Sequence, residues 1–217
     1  MGNNDEQAAA AELYSEAEFD RVEAHIRKYF GKYKNVFHEV LSPDIHVDIA
    51  IIDPSAKRNY YVLVTMGMGA HSMNVPQELE GQECERAEVL VCLPPDWNMQ
   101  DFNDEKWYWP LRWLKIMARL PIEQNTWLGW GHTVPAGEPF AENTQMNTML
   151  LLNPGAFGKG CELCKIPGGV VNFYQMIPIY QEEVDLKLEK GTEGLLEVMD
   201  RDLLEVVDPA RRNVCDD

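Results

Sequence analysis

Tyr60-Tyr61-Val62-Leu63-Val64-Thr65 runs directly into Met66-Gly67-Met68-Gly69-Ala70-His71-Ser72-Met73. The first six residues are nearly all aromatic, aliphatic or β-branched, as in a strand buried on both faces, since a strand with one wet face would alternate. The glycines that follow end it in a loop. Such a strand needs partners on both edges and layers above and below, so the flanking sequence should supply further strands and helices. Upstream, Ile45 to Ile52 alternates, with Ile45, Val47, Ile49 and Ile51 on one face and His46 and Asp48 on the other. Val36 to Leu41 reads as a strand stopped by Ser42-Pro43, and Asp53-Pro54 as a turn. Further back, Ser15 and Glu18 form a Ser-x-x-Glu capping box for a helix whose stripe is Phe19, Val22, Ile26 and Tyr29 or Phe30, with Gly31 as its stop.

Downstream, Arg86 to Leu93 is the next strand, closed by Pro94-Pro95. A helix is expected over Pro110 to Leu120, with Pro110 in its first turn and a core stripe of Leu111, Leu114 and Met117 flanked by Trp109, Trp113 and Ile116. Trp127 to Thr133 leads into a loop with Pro135, Gly137 and Pro139. Strands resume at Thr148–Leu152, Glu162–Ile166 and Val170–Ile179, the last two joined through Pro167-Gly168-Gly169, a hairpin signal. Gln181 to Lys190 reads as a helix stopped by Gly191, and Thr192 as the N-cap of another running to about Val206. The expectation is an α+β fold in which residues 1–13 are a flexible tail. Residues 14–217 then form one domain, a mixed, mostly antiparallel sheet flanked by helices.

The formal charge is −17, with 19 Lys and Arg against 36 Asp and Glu. Phosphate binding needs clustered cations, so a nucleic-acid surface is not expected. An acidic surface keeps a protein soluble and can also steer a basic partner. There is no apolar run long enough for a bilayer, and the acidic N-terminus lacks the features of a signal peptide. Glu6 stands where a myristoylation signal would carry Ser or Thr. Five cysteines without dense spacing read as reduced thiols, and the chain as cytoplasmic.

Several of these segments, taken in order, resemble the suppressor-of-fused family. Tyr61-Val62-Leu63-Val64-Thr65-Met66-Gly67-Met68 is similar to that family's strand ending in Thr-x-Gly-Met. Arg86-Ala87-Glu88-Val89-Leu90-Val91-Cys92-Leu93-Pro94 with Trp97 is similar to its Ala-Glu-rich strand. Trp109-Pro110, Gly129-Trp130-Gly131-His132, Val171 to Ile179, Glu182 to Leu188 with Gly191, and Leu195-Leu196-Glu197 continue the likeness. The animal members carry a second domain and clasp a transcription-factor peptide as an added strand between the two. This chain resembles the shorter bacterial type, whose members are associated with toxin loci, some as immunity proteins. The resemblance therefore implies a binding role, and an exposed sheet edge suits one because it offers unpaired N–H and C=O groups.

Catalytic signatures are few. None of the four serines lies in Gly-x-Ser-x-Gly, and there is no P-loop, dinucleotide fingerprint or His-Glu-x-x-His. His71 beside Ser72 is the one arrangement with nucleophilic potential. Cys161-Glu162-Leu163-Cys164 has Cys-x-x-Cys spacing but no second pair, and on a strand the two thiols would face opposite ways. The aromatic cluster is more suggestive. Trp107, Trp109 and Trp113 suit a helix–sheet core, whereas Trp127 and Trp130, beside Gly129 and Gly131, sit where exposure is easy and where interface anchors are found. His132 adds a polar group. Met66, Met68 and Met73, with His71, would give the other wall of a groove, flexible thioethers adapting to irregular partners. The functional expectation is a protein-binding module, an immunity or regulatory protein that takes a basic polypeptide or toxin domain through a sheet edge or groove. It needs no cofactor or metal. The alternative is a hydrolase-like or metal-dependent enzyme using His71 and His132.

Overall fold

A computed structural model describes residues 11–39 and 44–216. Helix α1, Glu16–Tyr29, begins at the expected capping box: Ser15 Oγ accepts from Glu18 N–H at 3.4 Å and Glu18 Oε2 from Ser15 N–H at 2.9 Å. Its buried stripe is Val22, His25 and Ile26, continued by Phe30, while Phe19, expected in the stripe, is exposed. Strands β1 (Asn35–Phe37), β2 (Asp48–Ile52), β3 (Tyr61–Met66) and β4 (Ala87–Leu93) follow. Then come α2 (Glu105–Glu123), β5 (Thr133–Pro135), β6 (Thr148–Leu152), β7 (Leu163–Ile166), β8 (Gly169–Ile179) and α3 (Gln181–Leu196).

The eight strands form one mixed sheet in the order β1-β2-β3-β4-β8-β6-β5, with β7 also paired to β8. Only β4 and β8 run parallel, and the other pairs are antiparallel. Asn172 pairs with both Ala87 and Leu163, and Gln175 with both Leu90 and Leu152. Strands β6 and β7 therefore share one edge of β8, opposite β4. Alternation along the strands sorts the core into two faces. Leu63, Val89, Val91, Met149, Leu151 and Met176 pack with Trp109, Leu114 and Met117 of α2. On the other face Val62, Val64, Leu90 and Phe173 meet Val22, Ile26 and Phe30 of α1. Further along that face Leu150, Leu152, Ile177 and Ile179 pack with Leu195 of α3. The result is the expected α+β domain, a sheet between helices. No helix among the described residues is long and apolar enough to cross a membrane.

Several boundaries depart from expectation, and β2 begins at Asp48 where a strand from Ile45 was expected. Helix α2 starts earlier because Asp104 caps it, accepting from Lys106 N–H at 2.9 Å, so Pro110 lies inside the helix and not in its first turn. The expected stop at Gly191 is present, its φ of 79° and ψ of 170° breaking Gln181–Leu196 into two helices at a kink that only glycine adopts easily. The second helix ends at Leu196 and not near Val206, followed among the described residues by a short 3-10 turn, Arg201–Leu204. The expected strand to Leu41 is seen as Asn35–Phe37, its last two residues lying outside the described ones. Of the expected tail, residues 1–10 also lie outside them, while Glu12 bridges to Ile45, its N–H donating to Asp44 O at 2.7 Å.

Candidate partner-binding surface

The glycine loop after β3 turns inward. Gly67 has φ 128°, and a Cβ there would lie 1.9 Å from His46 O, so only glycine fits. Its N–H and that of Gly69 donate to one carboxylate oxygen, Glu88 Oε1, at 2.9 and 3.2 Å. The Tyr14 hydroxyl donates to the same oxygen at 2.7 Å, and Thr65 Oγ1 lies 2.5 Å from Oε2. Glu88 is wholly buried, and desolvation raises its carboxyl above the ordinary value although all four partners act to lower it. This polar knot folds residues 66–73 over the end of the sheet. Met66 packs on the α1 side, and Met68 and Met73 on the α2 side, each under 5% exposed. The three methionines are core, not groove. Only His71 of the expected set reaches the surface here, its Nδ1 paired with Glu12 Oε2 at 3.1 Å.

The aromatic segment 127–132 leads straight into β5 at the sheet's edge. Gly131 N–H donates to Leu151 O at 2.7 Å, Leu151 N–H to His132 O at 2.9 Å, and Ala136 N–H to Asn147 O at 2.7 Å. Even-numbered residues 132, 134 and 136 thus face β6, and antiparallel alternation points the N–H and C=O of Thr133 and the C=O of Pro135 away from it. No strand among the described residues pairs with that side. Trp127 and His132 stack edge to face, centroids 4.3 Å apart. Burial and nearby Lys187 lower the His132 imidazole from its usual value. With Val134, Leu120 and Lys187 they line a cleft of about 370 Å³ at one end of the edge. At the other end Pro135, Trp113, Ile116, Phe140, Glu138 and Glu142 line one of about 640 Å³.

Trp130 is 44% exposed and lines a separate cleft of about 500 Å³ with Leu152, Gln175, Leu196, Arg201 and Leu204. This cleft sits over Gln175, between the α1-covered and α3-covered parts of one sheet face. Gln175 Nε2 donates to Leu204 O at 3.1 Å and Glu205 O at 2.8 Å. The two expected walls, 66–73 and 127–132, are linked just outside their ends, where Asn74 Nδ2 donates to Asn125 O at 3.4 Å, and Met73 and Leu128 belong to the same core cluster.

Sequence and structure comparisons bear on this geometry together. The family model "Suppressor of fused protein (SUFU)" matches residues 43–212. The chain belongs to the suppressor-of-fused family. A suppressor-of-fused homologue from Neisseria gonorrhoeae superposes with TM-score 0.66 at 18% identity, covering 92% of this chain and 98% of that one. The structure described as the Sufu–Fu complex superposes at 0.62 and 14% identity, covering 94% and 93%. Drosophila Suppressor of Fused superposes at 0.56 and 14%, covering 91% of this chain and 50% of that one. A search of curated proteins found no match.

Within this suppressor-of-fused domain the Cys-x-x-Cys pair is core. Cys161 precedes β7 in a turn, so both thiols reach the α1-side cluster and do not diverge as an uninterrupted strand would require. Their Sγ atoms contact Pro154 O at 3.1 Å and Arg21 O at 3.5 Å, and burial pushes both thiols up to about 11. His25 Nε2 lies 2.9 Å from Cys161 O. Among the described residues no three His, Cys, Asp or Glu side chains are placed to hold a metal ion. The two features sequence reasoning missed are β5, masked by Pro135, and Glu88, whose signal was one charge in a wholly apolar strand.

Proposed function

We propose that this domain is a protein-binding module that captures a partner polypeptide as an extra strand along β5. The observation that carries this reading is the edge itself: outward N–H and C=O groups at Thr133, with a side-chain cleft at either end. Strand addition draws affinity from main-chain hydrogen bonds and specificity from pockets for alternate side chains. Glu105, Glu138 and Glu142 line the larger cleft against a single cation, Arg112, already bound to Glu105 at 3.0 Å. With the net charge of −17, this favours a basic partner segment such as a toxin domain neutralised by an immunity protein in the cytoplasm. Trp127 and His132 flank the strand, and Trp130 anchors the partner beyond it. An enzyme built on His71 and His132 is the weaker reading, because the two imidazoles have separate partners, Glu12 and Trp127. The test is Thr133→Pro, which deletes an outward N–H and leaves the β5–β6 bonds intact. A partner identified by pull-down and mass spectrometry should bind the variant at least about tenfold more weakly, at an unchanged melting temperature. Undiminished binding would move the interface off this edge.

A further inference from the structure

Beyond the β5 clefts, between the start of α2 and the chain past α3, lies an apolar cleft of about 580 Å³. Trp97 and Trp107 form its aromatic wall, edge to face with centroids 5.3 Å apart, and Trp97 Nε1 donates to Trp107 O at 2.9 Å. Val206, Val207 and Pro209 face them. That opposite wall is fixed to the sheet, since Val207 N–H donates to Cys92 O at 2.9 Å and Gln175 holds the carbonyls of Leu204 and Glu205. The cleft is therefore preformed.

Two observations select its occupant. Asp96, Asp202 and Asp208 all line it and all are exposed, no Lys or Arg lines it, and Lys106 Nζ lies 4.7 Å from the centroid of the Trp107 ring. An apolar cleft under three carboxylates rejects anions and gains from a cation with an apolar stem. Asn143 lines the same cleft, and its Oδ1 is buried with no hydrogen bond among the described residues. A buried acceptor left unpaired is costly, and an incoming N–H donor would relieve it. A guanidinium supplies five such donors, stacks on indole faces and is more weakly hydrated than an ammonium.

We infer that this cleft takes an arginine side chain of the captured polypeptide. Its methylenes lie on Val206 and Pro209, and its guanidinium sits by Trp107 among the three aspartates, with one N–H to Asn143 Oδ1. Glu142, beside Asn143, lines the cleft at the end of β5, so a segment leaving that edge passes here next. The inference rests on the protein-binding reading in taking the arginine to belong to a polypeptide.

The probes are acetyl-Gly-Leu-Arg-Leu-Gly-amide and the same peptide with neutral citrulline for arginine, titrated into isotopically labelled full-length protein and followed by NMR. The arginine peptide should give saturable shifts at the Trp107 indole N–H and the Asn143 side-chain amide. Citrulline, or Asp96→Asn with Asp202→Asn at exposed positions, should weaken binding at least fivefold. No saturable shift, equal binding of citrulline, or full binding by the double variant would overturn the assignment. Thr133→Pro separates the two readings. If it abolishes partner capture while the arginine peptide still binds, both stand. If the peptide fails while Thr133→Pro still abolishes capture, the arginine site alone is wrong. If the peptide binds and capture survives Thr133→Pro, the edge reading alone is wrong.

Discussion

The Tyr14 hydroxyl lies 2.7 Å from Glu88 Oε1 across 74 residues of chain, tying the segment ahead of α1 to the middle of the sheet. Three donors converge on that one oxygen, whereas Oε2 meets Thr65 Oγ1, which accepts from Val89 N–H at 2.9 Å and lies 3.2 Å from Val89 O. A neutral carboxyl completes the pattern: Oε2–H donates to Thr65, whose own proton goes to Val89 O. An ionised one makes Thr65 choose between two acceptors. Geometry and the raised carboxyl thus agree on a buried acid that holds its proton above the ordinary value of 4.5.

A pH dependence follows, with a definite sign. The native state keeps this proton to higher pH than the unfolded chain, so the contribution is complete below the unfolded value of about 4.3 and is lost as pH rises through the higher native one. Glu88→Gln copies the neutral acid, its amide N–H donating to Thr65. The stability of the variant relative to wild type should therefore rise between pH 4 and pH 8 in urea unfolding. Glu18 and Glu23, whose carboxyls are lowered by hydrogen bonds and nearby arginines, act with the opposite slope but are common to both proteins and cancel. A difference that stays constant with pH would show that Glu88 is ionised in the fold.

The C-terminal segment hangs on a buried ion pair. Arg211 Nη1 and Nη2 contact Glu183 Oε1 and Oε2 at 2.6 and 2.5 Å, and Nη2 also donates to Pro178 O at 3.1 Å. Arg211→Met would strand a fully buried carboxylate and should cost about 3 to 5 kcal/mol in chemical unfolding. Replacing Glu183 by Met as well should recover much of that loss, because the uncompensated charge goes with it. A double variant no more stable than Arg211→Met would place the cost in packing.

Much of the architecture could be read from local patterns. The β3 run of Tyr61 to Thr65, the capping box of Ser15 and Glu18 and the hairpin at Pro167-Gly168-Gly169 each carry their signal within a few residues. The candidate site could not be read this way. Pro135 looks like a loop residue, yet on an edge strand its missing N–H faces no neighbour, so nothing is lost by its presence. The methionines at the end of β3 and after it looked free because what buries them is remote: Glu88, itself held by Tyr14, accepts from the loop's backbone N–H groups only once the sheet has formed. The acids around the Trp97–Trp107 cleft come from two stretches over a hundred residues apart, Asp96 in one and Asp202 and Asp208 in the other, and only the fold makes them neighbours.

One cooperative unfolding transition is expected, because β8 pairs with three strands and all three core clusters include its residues. Differential scanning calorimetry should give equal calorimetric and van't Hoff enthalpies. Limited proteolysis should spare residues 80–150, which supply β4, α2, β5 and part of β6. Two folded fragments from a cut in that range would refute the single domain.

Trp130 offers the clearest separation of binding from folding. Its ring is 44% exposed at the rim of its cleft, so Trp130→Ala should leave the melting temperature nearly unchanged. If the ring is a central anchor of the partner interface, its loss should cost about 2 kcal/mol or more, roughly thirtyfold in affinity, felt in the off-rate. The acidic surface should act on the on-rate instead. Raising salt from about 0.1 to 1 M shortens the screening length from about 10 to 3 Å, and association with a basic partner should slow accordingly. Surface plasmon resonance on wild type and Trp130→Ala at both salt concentrations resolves the two effects. A variant with the wild-type off-rate would remove Trp130 from the interface. Association that ignores salt would leave the charge of −17 to solubility and take away the argument for a basic partner.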